Sequence, residues 1–126
     1  MSVKDQALAV IDALNHHDFP GLITCFDEDA ILDLPDGIRV IGRASFRDTL
    51  SAYVLRHEMT LTDGVVMVDE AGFRVAVECT LNGQNRRGVD TAADGEAGPY
   101  ALPAVMVLER EADLFSRLSL FCAVQP

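Results

Sequence analysis

Asp33 stands between Leu32 and Leu34 in the run AILDL. A carboxylate with apolar neighbours is a candidate general base. Taken out of water, its pKa climbs from ~3.9 towards neutrality, where it can accept a proton. The period of a strand supplies a competing reading: if Leu32 and Leu34 face the interior, Asp33 faces water or a partner. Glu78 is a second acid, placed to share a strand face with Arg74, Thr80 and Asn82. It could assist proton transfer, pair with Arg74, or serve a solvated or interface face. Tyr53 falls on the apolar side of a helix, where its hydroxyl could donate to a ligand or merely reach the rim of the core. His57, near the end of that helix, could act as acid or base, or sit at the surface. Cys122 lies in an apolar run with no activating base nearby in sequence, and reads as a small wall residue. His16 and His17 sit where the first helix ends and can interact with its dipole. The three histidines lack H-x-x-x-H spacing, so no metal site is expected. Neither a P-loop nor G-x-G-x-x-G occurs, so no nucleotide cofactor is expected, and none of another kind.

The totals narrow the field. The chain has 126 residues, 49% hydrophobic and 24% charged, with a net charge of −10. That is the size of one domain, residues 1–126, with enough apolar surface for a core of its own. The negative charge leaves no basic stripe for nucleic acid and disfavours an anionic membrane surface. The opening MSVKDQALAV lacks an uninterrupted apolar stretch, so no signal peptide is expected. No run approaches the roughly 18 to 20 apolar residues that span a bilayer. Cys25, Cys79 and Cys122 form no C-x-x-C pair and sit in apolar runs. They read as buried free thiols in a reducing cytoplasm.

These side chains need elements to hold them. SVKDQALAVIDALNHHD opens with the S-x-x-D capping pattern and places Val3, Ala7, Val10, Ile11 and Leu14 on one helical face. Asp18 and Pro20 start a short second helix with Phe19, Leu22, Ile23 and Phe26 on its apolar side, ending at the acids 27–29. AILDL and IRVIG read as strands joined by a Pro35-Asp36-Gly37 turn. Gly42 then opens a third helix, RASFRDTLSAYVLRHE, with Phe46, Leu50, Tyr53 and Val54 inward. Four strands follow: LTDGVVMVD, FRVAVECTLNG, YALPAVMVLE and LFSRLSLFCAV. The second alternates Phe73, Val75, Val77, Cys79 and Leu81 against Arg74, Ala76, Glu78, Thr80 and Asn82. The third is apolar on both faces, as in a strand between two hydrophobic layers. Residues 83–99, rich in Gly and polar groups, read as a long exposed loop. The order α-α-β-β-α-β-β-β-β is an α+β pattern. A curved sheet wrapped around the helices would enclose an apolar pocket.

The wording of these segments resembles the nuclear transport factor 2-like superfamily in its SnoaL-like, ketosteroid isomerase-related branch. The carrying stretches are ALNHHDFPGLITCFDEDAIL, IGRASFRDTL and FSRLSLF, with ECTLNG and YALPAVMVLE similar to the ketosteroid isomerase-related proteins. The resemblance spans nearly the whole chain. It implies a cystatin-like α+β cone, in which a strongly curved, mostly antiparallel sheet wraps three helices from the N-terminal half. It also implies an apolar pocket and a homodimer packed through the outer sheet face. Fold alone does not assign an activity within such a superfamily. Cofactor-free isomerisation, cyclisation or hydration of a small hydrophobic molecule is one expectation, with Asp33, Tyr53 and Glu78 as catalytic candidates. Leu32, Leu34, Val10, Leu50, Met106, Leu120 and Cys122 would line the pocket. A non-catalytic ligand-binding or dimerisation module is the alternative. The isomerases' base aligns with Leu34, or with Asp33 after a one-residue shift, and their oxyanion donors fall near Val10 and Ala104. Val and Ala cannot donate, so steroid isomerisation is not expected.

Overall fold

A computed structural model describes residues 2–85 and 98–123. Within them, α1 (Val3–Asn15) and α2 (Phe19–Ile23) lead into β1 (Phe26–Asp33) and β2 (Arg39–Ile41). Next come α3 (Arg43–His57), β3 (Thr60–Val68), β4 (Arg74–Asn85), β5 (Gly98–Arg110) and β6 (Phe115–Cys122). The six strands form one sheet in the order β2-β1-β6-β5-β4-β3. Every neighbouring pair is antiparallel except β1 with β6. The sheet is mixed and not closed, and the fold is the α+β cone that the sequence implies.

Local chemistry sets the boundaries. Ser2 and Asp5 form a reciprocal capping box that satisfies N–H groups at the start of α1. Asp18 accepts from the Gly21 N–H to cap α2. Gly42 starts α3 at φ +104°, a conformation that side chains resist. The expected second helix was too long. It stops at Ile23, and Phe26 with the acids 27–29 opens β1, four residues before the expected start. Phe26 is fully buried between Phe46 and Phe115, with ring centroids 4.5 and 5.8 Å away. Packing at Phe26 thus overrides the helical spacing.

The core lies between the helices and the inner sheet face. Ala7, Val10 and Leu14 of α1 and Phe46, Leu50 and Val54 of α3 meet Val75, Val77, Cys79 and Leu81 of β4. Phe73 does not join that row. It lies just before β4 and is exposed. Asn15 clips the end of α1 to β3: its side-chain amide donates to the Leu61 carbonyl and accepts from the Leu61 N–H, both at 2.8 Å. Most of the long loop expected over 83–99 lies outside the described residues. At its ends, β4 runs to Asn85 and β5 begins at Gly98.

Candidate functional site

The sheet splits the expected site in two. Leu32 and Leu34 point into the core, so period two turns Asp33 to the outer face. The Pro-Asp-Gly turn sets Asp33 opposite Arg39. The parallel register of β1 with β6 sets it beside Ser119. Arg39 donates to the carboxylate through Nε at 2.5 Å and Nη2 at 3.1 Å. Arg117 donates through Nε at 3.1 Å, with its Nη2 at 2.8 Å. Ser119, itself buried, adds a hydroxyl at 3.1 Å. The Arg39 hydrogen bond is the largest cause holding the Asp33 pKa below its usual value. Ser119 and Arg117 reinforce it, and burial opposes it. The desolvated base expected here therefore has its physical basis reversed: the side chain is shielded by cations, not by an apolar wall.

The ion pairs continue. Arg117 reaches Glu109 at 3.6 Å, and Glu109 pairs with Arg74 at 2.9 Å. Arg39, Asp33, Arg117, Glu109 and Arg74 thus alternate in sign across β2, β1, β6, β5 and β4. Glu78 lies on this outer face, exposed, in a row with Phe121, Val105 and Val65. Of its suggested uses, pairing with Arg74 is not what forms. Arg74 pairs instead with Glu109, its cross-strand neighbour. Val65, Met67 and Phe121 are also exposed on this side, between 48% and 58%.

On the inner side the expected lining residues come together, but as packed core. Val10, Leu32, Leu34, Leu50, Met106 and Leu120 are at most 4% exposed and belong to one cluster. None lines the four surface clefts described. The largest cleft, about 940 Å³, runs along the charged strip between Asp27, Phe73, Glu109 and Arg117. Another of about 450 Å³ lies around Glu78, Thr80, Val105 and Phe121. Leu and Met side chains pack closely in this part of the core. Cys122 is half-buried, and burial pushes its thiol up, which suits a wall residue rather than a nucleophile.

Tyr53 is the expected catalytic residue that remains inside. It packs on the core from α3, and its ring lies 4.5 Å from that of His57. The Tyr100 hydroxyl approaches His57 Nδ1 at 3.3 Å. Tyr100 takes its position from Gly83, directly opposite in β4: a Cβ there would stand 2.5 Å from the phenol. Two phenols and an imidazole therefore meet at one end of the core. Tyr53, Asp33 and Glu78 do not form one constellation, because the sheet separates the first from the other two.

Sequence reasoning missed Tyr100, Arg39, Arg117 and Ser119. Three of them had a signal. Asp33 and Arg39 lie symmetrically about the Pro-Asp-Gly turn, and Arg117 and Ser119 alternate with Leu118 and Leu120. Among the described residues no group of three or more His, Cys, Asp or Glu is placed to hold a metal ion. No helix among them is long and apolar enough to cross a membrane.

A family model for the SnoaL-like domain matches residues 7–118. Among solved structures, a proposed polyketide cyclase from Pseudomonas putida is 28% identical, with a TM-score of 0.82 over 96% of this chain and 91% of that one. Another from Xanthomonas campestris pv. campestris is 25% identical, with a TM-score of 0.83 over 94% and 88%. A proposed ketosteroid isomerase from Kribbella flavida, 24% identical, shares the fold with a TM-score of 0.73 over 98% and 81%. No curated protein matches the sequence.

Proposed function

The chain belongs to the SnoaL-like domain family, and from that premise we propose that it holds a small hydrophobic molecule at the inner end of the cone and performs cofactor-free acid–base chemistry on it. The observation that carries this reading is the meeting of Tyr53, His57 and Tyr100 at the edge of an otherwise sealed apolar core. Imidazole is the side chain that gives and takes protons near neutral pH, and a phenol at Nδ1 orients it. Aromatic side chains offer a flat apolar surface with a polar edge, which suits a ligand carrying a ring and an oxygen. The fold shared with proposed polyketide cyclases at 25% and 28% identity supports cyclisation or isomerisation over other chemistries. Asp33 and Glu78 take no part in that chemistry in this reading. Three free thiols suit a reducing cytoplasm.

A second feature favours a homodimer. Val65, Met67 and Phe121 form an exposed apolar band on the outer sheet face, the composition of an interface core. Dimer and ligand site use opposite faces and are compatible.

The test uses 1-tetralone, a small hydrophobic ketone, followed by amide NMR and by exchange of its α-protons in heavy water. The expected result is chemical-shift change at Tyr53, His57 and Tyr100, with exchange above the buffer rate that His57→Gln removes. Binding without exchange would favour a non-catalytic carrier. Shift changes confined to the Asp33 face, or none at all, would overturn the ligand reading.

A further inference from the structure

Gly83 is a poor strand former inside β4, directly opposite Tyr100 of β5. Glycine packs nothing and weakens a strand, so its usual reason there is the close approach of another group. That group is the Tyr100 phenol. A Cβ on Gly83 would stand 2.5 Å from both Cζ and Oη of Tyr100, and 2.9 Å from Cε1. The backbone itself does not call for glycine, since Gly83 is not among the glycines at positive φ. The space is kept for the phenol.

The geometry points to Gly83 and Tyr100 as positioning residues that fix His57 in the tautomer with its proton on Nε2, so that a ligand meets His57 as a hydrogen-bond donor and must offer it an acceptor oxygen, as a ketone does. This rests on the ligand site proposed above and goes beyond it by assigning the direction of the bond and the class of ligand.

Three observations carry it. First, Tyr100 Oη lies 3.3 Å from His57 Nδ1. A phenol O–H, with a pKa of ~10, is a good donor, and the unprotonated nitrogen of an imidazole, with a pKa of ~6.5, is a better acceptor than a phenol oxygen. The O–H therefore donates to Nδ1. In a neutral imidazole the accepting nitrogen carries no proton, and the proton resides on the other. Second, His57 is held for this bond from its own helix. The Met59 N–H donates to the Val54 carbonyl at 2.9 Å and closes α3, and Met59 is fully buried. The Tyr53 ring, one helical turn back, lies 4.5 Å from the imidazole at a tilt of 47°. Third, the three rings stand at the edge of the apolar core. A neutral imidazole with a fixed N–H can polarise an oxygen there without bringing a charge into apolar surroundings. Held this way, His57 supplies the acid half of the proposed chemistry.

A tyrosine laid over a strand glycine also steadies a sheet by itself, so the decisive readout is the imidazole. Nitrogen NMR of the full chain, labelled at histidine, is recorded on the alkaline plateau of the His57 titration, with His57→Gln to assign the signals. The expected signature is a proton on Nε2 and an Nδ1 resonance displaced as in a nitrogen that accepts a hydrogen bond. Tyr100→Phe keeps the ring and loses the donor, so Nδ1 should move to the position of an unbonded nitrogen. Gly83→Ala leaves Tyr100 in the sequence but displaces its phenol, and should move Nδ1 the same way. Far-ultraviolet circular dichroism of both variants should match the wild type. A proton on Nδ1, or an Nδ1 resonance that Tyr100→Phe leaves in place, would overturn the inference whatever binds. Movement with Tyr100→Phe but not with Gly83→Ala would overturn the role of Gly83. For the ligand class, 1-tetralone should bind about fivefold more tightly than tetralin, the same ring system without the oxygen. Equal affinities would overturn the acceptor-oxygen assignment. If neither binds, the ligand site proposed above falls and the ligand class with it, while the spectra still decide the tautomer.

Discussion

Leu32 and Asp33 are neighbours in β1, yet they occupy different physical worlds. Leu32 is fully buried among side chains that have no alternative partner. One residue on, Asp33 sits in a lattice of three donors from β2 and β6, with part of its surface still in water. The inner face of the sheet is held by close packing, where each lost methylene leaves a hole. The outer face is held by charge pairing and carries exposed Val65, Met67 and Phe121 beside it. Stability should therefore reside on the inner face and association on the outer, and matched substitutions can test that division.

The largest contrast uses one residue type twice. Phe46 is fully buried against Phe26, whereas Phe121 is 56% exposed on the outer face. Phe46→Ala should cost about 3–5 kcal/mol of folding stability, read by urea unfolding. Phe121→Ala should change the protomer's stability by no more than about 0.5 kcal/mol and act on self-association instead. Because association adds to apparent stability, both are to be read at dilutions where the protomers are separate. Equal losses would break the division between the faces.

A polar pair sharpens it. Asn15 exchanges two hydrogen bonds with Leu61 in a half-buried setting, while Asn82 donates one to the Thr62 hydroxyl at an exposed position. Asn15→Ala orphans a backbone N–H and a carbonyl and should cost about 1–3 kcal/mol. Asn82→Ala should cost no more than about 0.5 kcal/mol, because water replaces the lost partner.

Acid titration separates the faces next. The folded-state pKa of Asp33 lies below its ordinary value of ~3.9, so its contribution is fully present above that value. It is lost only as pH falls through the lower folded-state value. The stability of the wild type should thus fall more steeply than that of Asp33→Asn in the acid range below ~4. Parallel curves for the two proteins would remove the pairing from the energetics of the outer face.

How far the sequence disclosed this division depends on the range of the contacts involved. Element order was legible throughout, because capping residues, the Pro-Asp-Gly turn and the two periodicities are local signals. The facing of Asp33 was legible as one of two alternatives, since Leu32 and Leu34 already fix the period. Of its partners, only Arg39 had a local signal, through the Pro-Asp-Gly turn. Arg117 reaches Asp33 through the parallel pairing of β1 with β6, between segments 84 residues apart, and nothing local reports such a register. Likewise, Val10, Leu32, Leu34, Leu50, Met106 and Leu120 fall in one buried cluster with Cys122 packed against it, but whether Leu and Met enclose a space or fill it depends on three-dimensional packing. Phe26 shows the reverse error. Its spacing fits a helix, and only its burial between Phe46 and Phe115 assigns it to a strand.

The smallest expected effect crosses the sheet. Cys79 faces the core and Glu78, the next residue back, faces outward. Burial is the main cause pushing the Cys79 thiol up, and the negative charge of Glu78 adds to it. Glu78→Gln removes the second cause and leaves the first. In a background with Cys25 and Cys122 replaced by Ser, the reaction of Cys79 with a disulfide reagent should therefore begin at a lower pH, yet still above the range of an ordinary thiol. Folding stability should change by no more than about 0.5 kcal/mol, since Glu78 is exposed. A larger stability loss would mean that Glu78 supports the protomer itself. An unmoved pH profile would mean that one layer of backbone is enough to screen the outer face from the inner, leaving the two faces electrically independent as well as energetically distinct.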